Sequence, residues 1–274
     1  MEMDRRTLTE NAREYLLSSQ LNCISKEKAL SAELALVKIF DEPIIRITDA
    51  GNPRFCDLKS DKIIGAHFML PTEWLAEAKS VVSFFFPFTE IIRNSNKTDK
   101  NYPSKGWLHG RVEGQLFMNE FSRYMVELFG ANGFKTISPS ADKRFFSNTD
   151  KDNKRINKLY TSNWSERHVA YVCGLGTFGL AKGIITEKGT AGRLTSIITA
   201  QHLPADEPKT QGFDENCIMC AKCAKNCPVN AISIEHGKNH EICSKFLDAV
   251  LAENHPRYGC GKCQVDVPCE DKIP

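Results

Sequence analysis

Four cysteines stand in one run, Cys217-Ile-Met-Cys220-Ala-Lys-Cys223-Ala-Lys-Asn-Cys227-Pro228. The spacing C-x2-C-x2-C-x3-C-P is that of 4Fe–4S ligation. A cubane needs four thiolates converging on four iron corners, and three cysteines spaced by two residues in a tight loop aim three sulfurs at one cube. The fourth, just before the proline, reaches over to a second cluster in two-cluster ferredoxins. The run therefore calls for a further set of cysteines. The chain has one: Cys243, then Cys260-Gly-Lys-Cys263, then Cys269. We expect Cys217, Cys220, Cys223 and Cys269 to hold one cluster, and Cys227, Cys243, Cys260 and Cys263 the other. A structural zinc site would more often show two separated C-x-x-C pairs. The chemistry expected is single-electron transfer.

The remaining three of the eleven cysteines, Cys23, Cys56 and Cys173, read as small packing residues. Disulfides would need an export route, and none is visible: Arg5-Arg6 is followed by charged and polar residues rather than the apolar core of a signal peptide. The run Val81-Val-Ser-Phe-Phe-Phe86 is far too short to span a bilayer. A net charge of +2 gives no strong field for nucleic acid or an anionic membrane. These features lead us to expect a cytoplasmic protein, where thiols stay reduced.

All eight ligand candidates lie from Cys217 onward, so two parts are expected: residues 1–210, then an electron-transfer module over 211–274. The polar stretch Pro204 to Gly212, rich in Pro and Gly, is the linker candidate. In the first part, residues 4–19 and 25–40 carry helical composition, with Ser25 as an N-cap. Val81 to Phe86, ending at Pro87, reads as a buried central strand. Phe117, Phe121, Tyr124, Met125 and Leu128 recur at helical spacing before Gly130, which predicts a helix over 112–129. Phe134 to Ser138 reads as the next strand. Gly183–Thr186 and Leu194–Thr199 read as two more, joined by a turn containing Gly189 and Gly192. The fold class expected is α+β, an α/β sandwich followed by a two-cluster ferredoxin-like domain.

Gly174-Leu-Gly176-Thr-Phe-Gly179 matches G-x-G-x-x-G, but a dinucleotide site needs a strand before the motif, and Trp164 to Cys173 has helical character. Two readings stay open: the glycines let backbone lie close against a bulky flat cofactor or its phosphate tail, or they make a tight helix-to-strand turn.

Together these pieces resemble a family. Gly174–Gly179, a Gly-rich strand pair, C-x2-C-x2-C-x3-C-P, a helix bearing Cys243 and Tyr258-Gly-Cys-Gly-Lys-Cys263 occur in this order in epoxyqueuosine reductases. Ala78 to Pro87 is similar to their central strand, and the resemblance covers roughly residues 65 to 270. Those enzymes, and the related reductive dehalogenases, hold a corrinoid in a nitroreductase-like domain beside two 4Fe–4S clusters. The resemblance implies the same layout here. Electrons would pass from an external low-potential donor, such as ferredoxin or flavodoxin, through the clusters to cobalamin. It also implies a cofactor site at Gly174, Gly176, Gly179, Lys182, Gly189, Gly192 and Arg193.

Three departures shape what carries over. The catalytic aspartate of epoxyqueuosine reductases precedes a Glu-x-x-x-Ala stretch, here Glu166-Arg-His-Val-Ala170, and its position falls near Tyr160, where Tyr160-Thr-Ser-Asn-Trp164 contains no carboxylate. Many members carry a helical extension after the clusters that helps bind tRNA, whereas this sequence ends at Pro274. With the weak net charge, that leads us to expect a small-molecule substrate rather than tRNA. The last cysteine also differs, since Cys269 follows Pro268 and is separated from Cys263 by five intervening residues rather than three. Reductive dehalogenases use a tyrosine as proton donor, which implies Tyr160 as the catalytic acid, with Lys182 or Arg193 supplying charge or holding a phosphate tail. His168 reads as a surface or core histidine. Two other functions remain: an FMN-dependent reductase, or an electron-delivery protein that reactivates a corrinoid or other redox partner.

Overall fold

The computed structural model describes residues 3–149, 155–207 and 212–274. Its main elements are α1 (Arg5–Ser18), β1 (Ile44–Asp49), β2 (Ser80–Pro87), α2 (Lys105–Ala131), β3 (Thr136–Ile137), α3 (Glu166–Val172), β4 (Gly176–Phe178), β5 (Ile184–Thr186), β6 (Gly192–Thr199) and α4 (His240–Asn254).

β2 is buried along its whole length because it is paired on both edges and covered on both faces. It runs antiparallel to β1, with Ile45 opposite Phe84, and to β6, with Phe84 opposite Thr195. β3 pairs with the far edge of β6, giving the order β1-β2-β6-β3. Alternation then divides the side chains. Val82, Phe84 and Phe86 face α1 and α2, where Leu8, Ala12, Leu16, Phe117 and Phe121 close one core. Val81 and Phe85 face the other way, toward α3 and Trp164. The first core is largely aromatic: Phe121 meets the Phe84 and Phe86 rings edge-on at 5.0 and 4.8 Å. Truncating such a ring costs about 3–5 kcal/mol.

α2 begins at Lys105, earlier than its apolar period indicates, capped by Ser104 Oγ, which accepts from Trp107 N at 3.0 Å. Its opening turns carry Gly106, Gly110 and Gly114, and a Cβ at Gly110 or Gly114 would press into the Phe88 or Phe40 ring. Close approach of the helix to that layer, rather than an apolar stripe, explains those turns.

The helix expected over 25–40 is a correction. Only a 3-10 turn at Ala32–Leu34 forms there. The segment folds back on itself instead, with Ile24 N donating to Val37 O, Leu36 N to Ile24 O and Ile39 N to Asn22 O. The Asn22 side chain holds both Phe40 backbone groups, donating to its carbonyl at 3.1 Å and accepting from its N–H at 2.9 Å. Long-range partners for these backbone groups override local propensity.

The cysteine-bearing segment is stitched to the sheet and helices. Phe178 N donates to Phe213 O, and Thr190 N to Cys269 O. Asn216 bonds Thr177 Oγ1 and Ile185 O, and Asn96 Nδ2 bonds Cys260 O. The chain leaves the sheet with Asp206 pinned to the β1 edge, its carboxylate accepting from Ile47 N and Arg5. The rest of the expected linker, and the boundary at 210/211, lies at residues 208–211, outside the described residues. Among the described residues no helix is long and apolar enough to cross a membrane.

Candidate iron–sulfur centre and adjoining cavity

Two loops present the cysteines. In the first, Met219 and Ala221 adopt left-handed backbone (φ 50° and 58°), which curls the chain between Cys217 and Cys223. In the second, Gly261 (φ 66°) lies flat on Trp107, where a Cβ would run into the indole. Buried Lys262 anchors that loop, donating to Asn96 O at 2.7 Å and Asp99 O at 2.6 Å. Cys227 Sγ accepts from Ala231 N at 3.2 Å.

The thiols influence one another in two overlapping groups. Cys269 senses the charges of Cys223, Cys217 and Cys220, whereas Cys260 and Cys263 sense Cys243 and Cys227. The two fours adjoin where Cys223 senses Cys263. Burial, followed by mutual repulsion, pushes Cys223 up to about 11 and Cys260 and Cys269 up to about 12. Thiolates crowded this way need a cationic partner, and metal binding displaces their protons. Among the described residues no three His, Cys, Asp or Glu side chains converge as they would on a single ion. An all-cysteine set divided into fours suits clusters whose several irons keep the sulfurs apart.

The glycines of the expected cofactor site have packing reasons of their own. Gly174 (φ 78°) terminates α3 in a Schellman motif, with Leu175 N donating to Ala170 O and Gly174 N to Tyr171 O. The run thus leaves a helix and enters the β4–β5 ribbon, the reverse of a dinucleotide turn. A Cβ at Gly176 would strike Ile185 O, one at Gly189 the Glu270–Asp271 backbone, and one at Gly192 Phe86 O. Gly179 abuts the Ile185 side chain and lies near Cys217 Sγ.

Tyr160 and Lys182 lie near His240 at the start of the helix bearing Cys243, whereas Arg193 lies near Arg111 and Tyr258. Tyr160 and Lys182 both hold left-handed backbone (each φ 57°), a conformation a side chain adopts only under constraint. The Tyr160 ring stacks on His240 at 5.7 Å, three residues before Cys243. Lys182 O accepts from Arg167 at 3.0 Å. Arg193 donates to Gln115 Oε1 from one nitrogen, while its Nε is buried without a partner. Arg111 donates to the Tyr258 hydroxyl at 3.1 Å and lies over that ring at 4.7 Å. Lys238 interacts with Cys263 and Cys243. Arg167 and Arg193 are enclosed by surrounding protein yet retain accessible surface, so they line a recess.

Sequence reasoning missed Arg111, Arg167, Lys238 and the role of Glu166. Glu166 Oε2 accepts from Ser196 at 2.7 Å, and Ser196 accepts from Trp164 Nε1 at 2.9 Å. Its Oε1 has no partner. Burial pushes this carboxyl up to about 7. His168 is half-buried: Ser165 bonds its Nδ1 at 2.8 Å, and burial, then the charge of Arg167, push it down to about 4. The one available signal was an arginine, Arg111, amid glycines and apolar residues in the opening turns of α2.

A model of the 4Fe–4S binding domain matches residues 213–233. The chain carries a 4Fe–4S binding domain. Part of the chain is similar in sequence to reductive dehalogenases, and its fold is similar to that of epoxyqueuosine reductases. It is 37% identical over 87 residues to the tetrachloroethene reductive dehalogenase of Dehalobacter restrictus, a match covering 31% of this chain and 15% of that protein. Epoxyqueuosine reductase from Streptococcus thermophilus shares the fold at TM-score 0.50 and 14% identity, covering 84% of this chain and 63% of that one. A catabolic reductive dehalogenase does so at TM-score 0.51 and 14% identity, covering 84% of this chain and 30% of that one. The chain thus spans less than two thirds of the length of each of these three relatives.

Proposed function

We propose that the chain is an iron–sulfur reductase with two 4Fe–4S clusters, one on Cys217, Cys220, Cys223 and Cys269 and one on Cys227, Cys243, Cys260 and Cys263, beside a corrinoid site in the cationic recess. What supports this reading is the cysteine spacing, together with the influence of Cys217, Cys220 and Cys223 on Cys269 and of Cys227 and Cys243 on Cys260 and Cys263, the last of which lies near Arg167 in that recess. A sheet covered on both faces supports the nitroreductase-like reading of the first part. When bound, these groups would supply single-electron transfer and a low-potential metal centre.

The chain's own residues divide the remaining work. The outer loop bears Cys220, which is exposed, with exposed Phe213, Ile218 and Met219 around it. That apolar rim supports docking of an external donor such as ferredoxin or flavodoxin. Lys238 and Arg167 place positive charge against the inner cysteines, which favours an electron there over the outer set. Lys182 and Arg193 would bind the cofactor's polar periphery. Tyr160 is the proposed acid toward a small-molecule substrate, and Glu166 holds a second proton near neutral pH.

The test is anaerobic purification with iron and sulfide analysis, followed by spectral titration with cobalamin and with FMN. The reading expects about eight irons per chain and one corrinoid. The same iron with no corrinoid or flavin taken up would overturn the reductase in favour of an electron-delivery protein. Uptake of FMN alone would replace the corrinoid.

A further inference from the structure

Three guanidinium groups share the recess, and among the described residues none has a carboxylate within ion-pair distance. Arg167 has compensation of another kind, because Cys263 lies near enough to favour its charge. Arg193 has only the Tyr258 hydroxyl in that role. The partner of Arg111 is the neutral Tyr258 hydroxyl, and that of Arg193 is the neutral Gln115 carboxamide. Gln115 is one helical turn beyond Arg111 on α2, so its bond to Arg193 brings the two arginines together from α2 and β6. After burial, the charge of Arg111 is the main influence depressing Arg193.

Burying like charges side by side without a counter-ion is unfavourable, and a guanidinium normally has its fork filled. Here the Arg193 Nε is buried and unfilled. Two planar guanidinium groups, one with an unfilled Nε, beside a phenol hydroxyl are the donor set that recognises phosphate or carboxylate.

We propose that Arg111 and Arg193, with the Tyr258 hydroxyl, form a binding site for an oxyanion, a phosphate or carboxylate group, within the recess. The site stands on its own geometry and rests on the corrinoid reading only for one of its two sources. The anion belongs either to the cofactor, as the phosphate of a nucleotide tail, or to the substrate.

Calorimetric titration of the anaerobic, cluster-loaded chain with inorganic phosphate and with benzoate tests it directly. One anion per chain should bind, at least tenfold more weakly in Arg193→Gln and Arg111→Gln, with iron content unchanged. Arg123→Gln, on the outer face of the same helix, should bind as the unaltered chain does. Absence of saturable binding to the unaltered chain overturns the site, as does undiminished binding in both variants. Cobalamin and cobinamide, which lacks the phosphate, then identify the source. Cofactor origin predicts that the variants lose affinity for cobalamin alone. Substrate origin predicts that both corrinoids bind all variants equally. Anion binding with no corrinoid binding at all would retain this site while overturning the proposed cofactor.

Discussion

Glu166 has one oxygen satisfied by Ser196 and the other facing no donor, so its neutral form suits the folded chain. An unfolded glutamate would ionise from about 4.5, whereas the folded one keeps its proton to about 7. Between those values the unfolded state binds fewer protons, so stability falls as pH rises through the window and stays lower above it. The full effect is at most about 3 kcal/mol. Glu166→Gln should remove that loss, and its stability gain over the unaltered chain should grow from about pH 5 to about pH 8 in denaturation midpoints. The cysteine assignments make a second residue-scale prediction. Cys269→Ser and Cys243→Ser should each lower iron by about half, in different clusters, with the electron paramagnetic resonance signal of the other cluster retained.

At the scale of elements, an ion pair between α2 and the cysteine segment holds the two parts in register. Glu113 on α2 meets Arg257 and His109, and burial that would raise its carboxyl is outweighed by their hydrogen bonds, leaving it below the ordinary range. Glu113→Ala leaves Arg257 buried without its partner and should cost about 3 kcal/mol, visible as a lower thermal midpoint and a less firmly retained inner cluster. Because a depressed carboxyl contributes above its unfolded pKa, the difference should shrink as pH falls below about 4.5. Much of this scale was legible from sequence. The all-apolar run at β2, the stride of four from Phe117 to Phe129 and the cysteine spacing each encode their own element. The 25–40 segment did not, because the partners of Ile24 and Phe40 are tertiary. The recess did not either: Arg111, Arg167 and Arg193 lie on three elements far apart in sequence, and only the closed fold brings them together.

For the whole molecule, the uneven distribution of apolar core is decisive. The sheet is enclosed by two aromatic-rich cores, whereas α4 buries only Val250. The segment from 212 onward has little core to hold it, so ligation must supply much of its stability. Stripping iron with a chelator under air should accelerate amide exchange across α4 and the cysteine loops while β2 and β6 remain protected, measured by hydrogen exchange and mass spectrometry. Equal loss of protection everywhere would contradict this division.

The two proposed sets of four are interleaved along the chain. Cys227 follows Cys223 yet belongs with Cys263, while Cys269 returns to the loop that opened at Cys217. On the ribosome, then, the loop that begins first is completed second. The inner set has all its ligands once Cys263 has emerged, whereas three thiols of the outer set must wait, open to oxidation or to the wrong metal, until Cys269 arrives. On that assignment, inner-cluster-only species should accumulate first when the iron supply is limited.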